Sequence, residues 1–237
     1  MSSLVEKYYL DSKIADEIEN WVLRDDNFIK WQFTSNVAYD FKSRQKQIEE
    51  YGHEFNFKDC FCPGFSSRFI HQGQKRSAFW HKNCMQYLKM NEIKKILGSE
   101  YQSLNLWRMQ LWMYPAVGKE YFNQPHNPHI DLSTRRGRAN GIKISKDETG
   151  EGNIVMLYYV SDSDGDNYFY KIKDECIDHP SLDNDEMFHP DLLEVVQQET
   201  PKKGTLLVMD GDVIHSSSSP SKGIRTTLNI NLLPKQL

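Results

Sequence analysis

Apolar and polar positions alternate with period two along the last stretch of the chain. From Gly223 to Leu232, Ile224, Thr226, Leu228, Ile230 and Leu232 fall on one face, and Arg225, Thr227, Asn229 and Asn231 on the other. Successive strand residues point to opposite sides, so the pattern predicts a strand with one packed face and one facing a polar cavity, as in a barrel. Leu104 to Tyr114 reads the same way. Trp107, Met109, Leu111 and Met113 share one face; Arg108, Gln110, Trp112 and Tyr114 share the other. Ile154 to Val160 is continuously apolar and aromatic, as a buried strand should be. Gly204 to His215 is an apolar strand, a tight turn and then a histidine, and residues 28–41 also read as a strand. Helical spacing occurs in two places. Ile14, Ile18, Trp21 and Val22 recur within Lys7 to Arg24, with Asp11 or Ser12 to cap the start. That helix is expected to pack outside the barrel, with a partner-binding helix as the alternative. Residues 82–98 form the second helix, with Cys84, Tyr87, Leu88, Ile93, Ile96 and Leu97 as its apolar set and Gly98 as its stop.

Onto this frame falls one group of metal-ligating residue types. His129-Ile130-Asp131 places an imidazole and a carboxylate two residues apart, on the same side of an extended chain. His215, 215 − 131 = 84 residues after Asp131, is the best third ligand. Two histidines and one carboxylate on one side of an octahedral ion leave positions open, the pattern used by non-haem Fe(II) oxygenases. Arg225 follows His215 by 225 − 215 = 10 residues and points inward, where its fork can hold a carboxylate. His126 is an alternative ligand, but it lies three residues from His129 and so on the opposite side of a strand. A loop or substrate-contacting role suits it better.

In order and spacing, several of these segments resemble the Fe(II)- and 2-oxoglutarate-dependent dioxygenases, in particular their prolyl-4-hydroxylase-like branch. The segments are His129-Ile130-Asp131, Met156-Leu157-Tyr158-Tyr159-Val160, the turn Asp164-Gly165-Asp166-Asn167-Tyr168-Phe169, Gly204-Thr205-Leu206-Leu207-Val208-Met209, His215 and Arg225. The resemblance covers about residues 104–232. It implies a mainly β fold with flanking helices, a double-stranded β-helix or jelly-roll barrel. It also implies Fe(II) on His129, Asp131 and His215, with 2-oxoglutarate as cosubstrate. Arg225 and Tyr159 are then expected on the far carboxylate, with Thr227 nearby and Tyr114 at the cosubstrate pocket. O2 is the oxidant, and ascorbate is an accessory reductant that the family allows. The implied reaction hydroxylates an unactivated C–H bond, on a prolyl residue by preference, and releases succinate and CO2. The expected organisation is a single oxygenase domain over residues 1–237, with 1–100 as a support region and 101–237 as the barrel core.

Composition adds limits. The net charge of −4 gives no electrostatic case for a nucleic-acid partner, which leaves a protein, peptide or small-molecule substrate. No apolar run approaches a membrane span, and the polar N-terminus is unlike a signal peptide. Four irregularly spaced cysteines do not make a disulfide framework, so a cytoplasmic setting is expected. Cys60, Cys62, His81 and Cys84 could gather around zinc, although buried or free thiols are the expected reading. The basic run Thr134 to Arg138, just after Asp131, reads as a solvated loop that could alternatively receive an acidic substrate. Ser161 to Glu199 is strongly acidic and reads as a long lid or binding loop near the barrel mouth. Its Asp162-Ser163-Asp164-Gly165-Asp166 run lacks the spacing and closing glutamate of a calcium loop. Two rival functions use the same residues: a cupin-like metal protein without keto-acid chemistry, and a non-catalytic interaction module on the barrel.

Overall fold

The computed structural model describes residues 4–24, 29–34, 62–71, 73–75, 85–98, 104–122, 124–131, 138–139, 142–143, 153–179 and 188–233. Its strands are β1 (Glu6–Tyr9), β2 (Gln32–Thr34), β3 (Gly64–His71), β4 (Gln74–Lys75), β5 (Asn105–Pro115), β6 (Arg138–Ala139), β7 (Ile142–Lys143), β8 (Ile154–Tyr159), β9 (Asn167–Ile172), β10 (Leu193–Glu199), β11 (Thr205–Asp210), β12 (Ile214–Ser217) and β13 (Ile224–Leu233). The helices are α1 (Ser12–Leu23) and α2 (Met90–Ile96).

A large sheet has the order β1-β11-β8-β13-β5-β3-β2, with β4 beside β3, and a small sheet has the order β10-β9-β12. All these pairings are antiparallel. The extended arm 124–131 joins the free side of β12 through a bridge between His129 and His215. The chain therefore passes from large sheet (β5) to small (the arm), large (β8), small (β9, β10), large (β11), small (β12) and large (β13). This winding is a double-stranded β-helix, or jelly roll, as the sequence led us to expect. The hairpin of β6 and β7 stands apart from both sheets.

The alternation within each strand sorts the core into two layers. Met156 and Tyr158 of β8, Leu206 and Val208 of β11, and Leu228 and Ile230 of β13 pack outward against Ile18 and Val22 of α1 and Met90 and Ile93 of α2. Val155, Leu157, Tyr159, Phe169, Leu207 and Met209 pack together between the sheets. That explains why β8 is apolar at every position: both of its faces are covered. Burying each such side chain stabilises by about 1.5–3 kcal/mol. Asp11 caps α1 by accepting from the Lys13 amide at 2.9 Å, and Lys203 ties the helix down through Asp16 and Glu19, both at 2.7 Å. Gly204, at φ 82°, lets the turn before β11 pass under the helix, where an added Cβ would lie 3.1 Å from that of Ala15.

Several sequence expectations need correction. The acidic stretch 161–199 is not one long loop, because it contains β9 and β10. Most of its acidic residues fall between those strands, in the segment 174–191, and the aromatic run Tyr168, Phe169 and Tyr170 was masked by the average charge. Asp162 accepts from the Lys203 amide at 2.8 Å and Asp164 from the Ser221 amide at 3.0 Å, so these carboxylates hold turns. Gly165 sits where a Cβ would lie 2.6 Å from Ser218 O, which allows the turn before β9 to press against the 218–220 segment. The second helix is interrupted within 82–98, with residues 85–87 helical and a turn at 88–89. Lys89 takes a left-handed φ of 51°, which starts α2 afresh at Met90, while Gly98 at φ 84° ends it as expected. Within 28–41 the described strand is only Gln32–Thr34; residues 29–31 are not in a strand, and 28 and 35–41 lie outside the described residues. Trp107 packs with the inter-sheet layer rather than beside Met109, because the β5–β13 register shifts between Asn231 and Leu232 and turns it over.

Candidate metal centre

His129 and His215 face each other across the arm–β12 bridge, each backbone amide donating to the other's carbonyl at 2.9 Å. The imidazoles end 4.7 Å apart between centroids. Asp131, two residues along the arm, turns its carboxylate to the same spot. One ligand atom from each of His129, Asp131 and His215 lies within 4.8 Å of the others. The tautomers suit metal binding. His129 Nδ1 is 3.0 Å from Asn127 O and His215 Nδ1 is 2.9 Å from Val213 O. A carbonyl only accepts, so both Nδ1 atoms carry the proton and both Nε2 lone pairs are left for an ion. His126 does not join the cluster.

The carboxylate is held from three sides. Arg108 Nη2 lies 2.6 Å from Asp131 Oδ1, and the side-chain amides of Asn229 and Asn231 donate to Oδ2 at 2.7 and 3.2 Å. Arg108 also donates to Asn229 Oδ1 at 3.3 Å, which closes the network. Burial alone would raise the Asp131 pKa. The Arg108 guanidinium, the two imidazoles and Asn229 outweigh it and hold the carboxyl well below the usual carboxylate range. β5 and β13 make this network because Arg108 and Asn231, and Gln110 and Asn229, are register partners on the cavity side.

Further along the same face of β13 lies Arg225, only 2 % exposed. Its Nη2 donates to Asn167 Oδ1, which also accepts from the Tyr159 hydroxyl at 3.0 Å. The guanidinium sits 5.1 Å from the Tyr114 ring centre and bonds the Tyr114 hydroxyl. Its Nε is buried with no hydrogen-bond partner. A buried cation with an unmet donor is a receptor for an anion. Burial pushes the Tyr114 hydroxyl up to about 12, so it stays a donor throughout the working range. Thr227, buried on the same strand face, is the register partner of Trp112 and Tyr159. Arg225, Tyr159, Tyr114 and Thr227 are thus brought together on neighbouring strands, with Arg225 and Thr227 on the β13 face that also carries Asn229 and Asn231.

Four residues of the site escaped the sequence reading as participants. Arg108, Asn229 and Asn231 were placed on the cavity side without a role, and the alternation that put them there was the available signal. Asn167, the first residue of β9, carried no signal beyond its place after the Asp164–Asp166 turn. His126 is 2 % exposed, with Nε2 3.1 Å from Ser219 Oγ and Nδ1 3.2 Å from Ser217 Oγ. Its ring lies 5.5 Å from that of Tyr114, so it walls the Arg225 pocket. Of the zinc candidates only Cys62 is described, as a buried cysteine; Cys60, His81 and Cys84 lie outside the described residues. The basic loop after Asp131 is described only at 138–139 and 142–143.

Two of these histidines make stability pH-dependent. Burial, with Arg225 and His129, lowers His126 to about 3, and burial, with His129, lowers His215 to about 4. Both are neutral when folded and protonate near pH 6.5 when unfolded, so the unfolded chain binds more protons below that pH. Stability is therefore full above pH 6.5 and declines as pH falls toward 4. Thermal melts of metal-free protein should show Tm at pH 5 lower than at pH 7.5 by roughly 5 °C or more. A flat profile would contradict the neutral assignment.

No protein-family model and no curated protein matches this sequence. Solved structures do resemble the chain. One is the non-haem alpha-ketoglutarate-dependent epimerase SnoN from nogalamycin biosynthesis, at 11% identity and a TM-score of 0.46, covering 94% of this chain and 83% of that one. Another is a 2OG-Fe(II) oxygenase family oxidoreductase from Burkholderia pseudomallei, at 11% identity and 0.44, covering 97% and 94%. A third is a Pseudomonas putida prolyl-4-hydroxylase, at 12% identity and 0.35, covering 94% and 100%. Among the described residues, no helix is long and apolar enough to cross a membrane.

Proposed function

We propose that this chain is an Fe(II)- and 2-oxoglutarate-dependent dioxygenase that hydroxylates an unactivated C–H bond and releases succinate and CO2. One observation carries the reading: His129, Asp131 and His215 offer ligand atoms within 4.8 Å of one another, and the β13 face whose Asn229 and Asn231 hold Asp131 also carries Arg225, buried with an unmet donor. The donor set is right for a divalent ion with open positions, since two neutral imidazoles and one carboxylate leave half of an octahedron free. When bound, iron with 2-oxoglutarate and O2 supplies the oxidising power to break the C–H bond. The protein's residues do the rest. Asn127 O and Val213 O fix the imidazole tautomers. Arg108, Asn229 and Asn231 fix the carboxylate. Arg225 offers the charge for the far carboxylate of the cosubstrate, with Tyr114 and Asn167 orienting its fork.

A peptidyl proline is the first substrate to try, followed by free amino acids and other small molecules, with succinate release as the readout and ascorbate as accessory reductant. A single domain in a cytoplasmic setting suits this reading. The decisive test is an anaerobic titration of 2-oxoglutarate into the Fe(II)-loaded protein. A saturable visible charge-transfer band is expected. Bound iron without a band would favour a cupin-like metal protein, and failure to bind iron would sink the reading.

A further inference from the structure

The Asp131 carboxylate already has a counter-ion. Arg108 Nη2 sits 2.6 Å from Oδ1, with the Arg108 side chain 14% exposed and that of Asp131 7%. A guanidinium cannot give up its charge in this range, and in a buried setting its field is weakly screened. Any divalent ion reaching Asp131 must share that carboxylate with a permanent cation. The two imidazoles contribute no negative charge, because both Nδ1 protons are committed to carbonyls. A metal alone therefore enters a site that is not negative. A metal accompanied by a dicarboxylate brings its own compensation.

We infer that Arg108 is a positioning residue that occupies Asp131 as a stand-in cation, weakens the binding of a lone divalent metal, and so makes metal and dianionic cosubstrate bind together. The inference rests on the function proposed above. It differs from a purely structural role in sign. If Arg108 only oriented Asp131, its loss would weaken metal binding; if it competes for the carboxylate, its loss strengthens metal binding and removes the coupling.

The test uses Mn(II), followed by electron paramagnetic resonance and calorimetry, with and without 2-oxoglutarate, and needs no turnover. In the native protein, saturating 2-oxoglutarate should tighten Mn(II) binding about tenfold or more. In Arg108→Gln, Mn(II) alone should bind about tenfold tighter than to the native protein, with little further gain from 2-oxoglutarate. Arg108→Met serves as a second neutral variant should the amide fold poorly, and thermal melts establish that each is folded. Arg108→Lys, which keeps the charge but loses the fork, should retain weak metal binding and strong coupling. Weaker Mn(II) binding in the folded neutral variants would overturn the inference and leave the dioxygenase reading standing. Native protein that binds no Mn(II) would overturn both.

Discussion

Asp131→Ala is expected to abolish metal binding and to destabilise the protein by about 3–5 kcal/mol, the usual effect of stripping one partner from a buried ion pair. Two losses coincide in this variant. The carboxylate is one of the three converging ligands. It also accepts from Arg108, Asn229 and Asn231, all in the barrel wall, and truncation takes this acceptor away from each of them. A drop of that size lowers Tm by roughly 10 °C in a chain of this length. The two effects separate in a second variant. Arg108→Met combined with Asp131→Ala removes both charges, so most of the lost stability should return while metal binding stays absent. Melting curves and Mn(II) titrations of the single and double variants check this. A single variant as stable as the native protein would mean that the network contributes nothing.

The second large effect concerns Arg225→Ala, which should weaken 2-oxoglutarate binding about 100-fold or more while leaving metal affinity in the absence of cosubstrate close to native. Charge-assisted hydrogen bonds contribute about 1.5–3 kcal/mol each, and a forked pair accounts for a loss of that order. The guanidinium is enclosed by Asn167, Tyr159 and Tyr114, so water has little room to replace it. Arg225→Lys should recover part of the binding through charge alone. Calorimetric titration of 2-oxoglutarate into Mn(II)-loaded variants gives the comparison. Unchanged affinity in Arg225→Ala would place the cosubstrate elsewhere in the cavity.

Much of this site was legible because strand alternation is a strict period. Arg225, Thr227, Asn229 and Asn231 could be put on one face before any coordinates, and the structure keeps them there. His129, Asp131 and His215 were legible by residue type and spacing. Their closeness depends on the arm pairing with β12, a contact across more than eighty positions that no local pattern encodes. Arg108 was on the correct face, but its choice of Asp131 as partner depends on the β5–β13 register. Asn167 was hidden for a different reason: an asparagine beside a turn normally reports only turn chemistry. β9 and β10 were missed because the acidic connection between them dominates the average over residues 161–199. The break in the second helix depends on Lys89 adopting a left-handed backbone, which its residue type does not announce.

The arm carrying His129 and Asp131 reaches β12 through few backbone hydrogen bonds: His126 N to Ser217 O at 2.7 Å and the His129–His215 pair at 2.9 Å. A metal ion shared by His129, Asp131 and His215 would act there as a removable cross-link, closing a loop of 215 − 131 = 84 residues much as a disulfide does. Cross-links over such distances restrict the unfolded chain by several kcal/mol. Loading the metal would then do for this barrel what covalent staples do for secreted proteins, but reversibly, so that a chelator could loosen the mouth of the cavity while the helix-backed layer stayed folded.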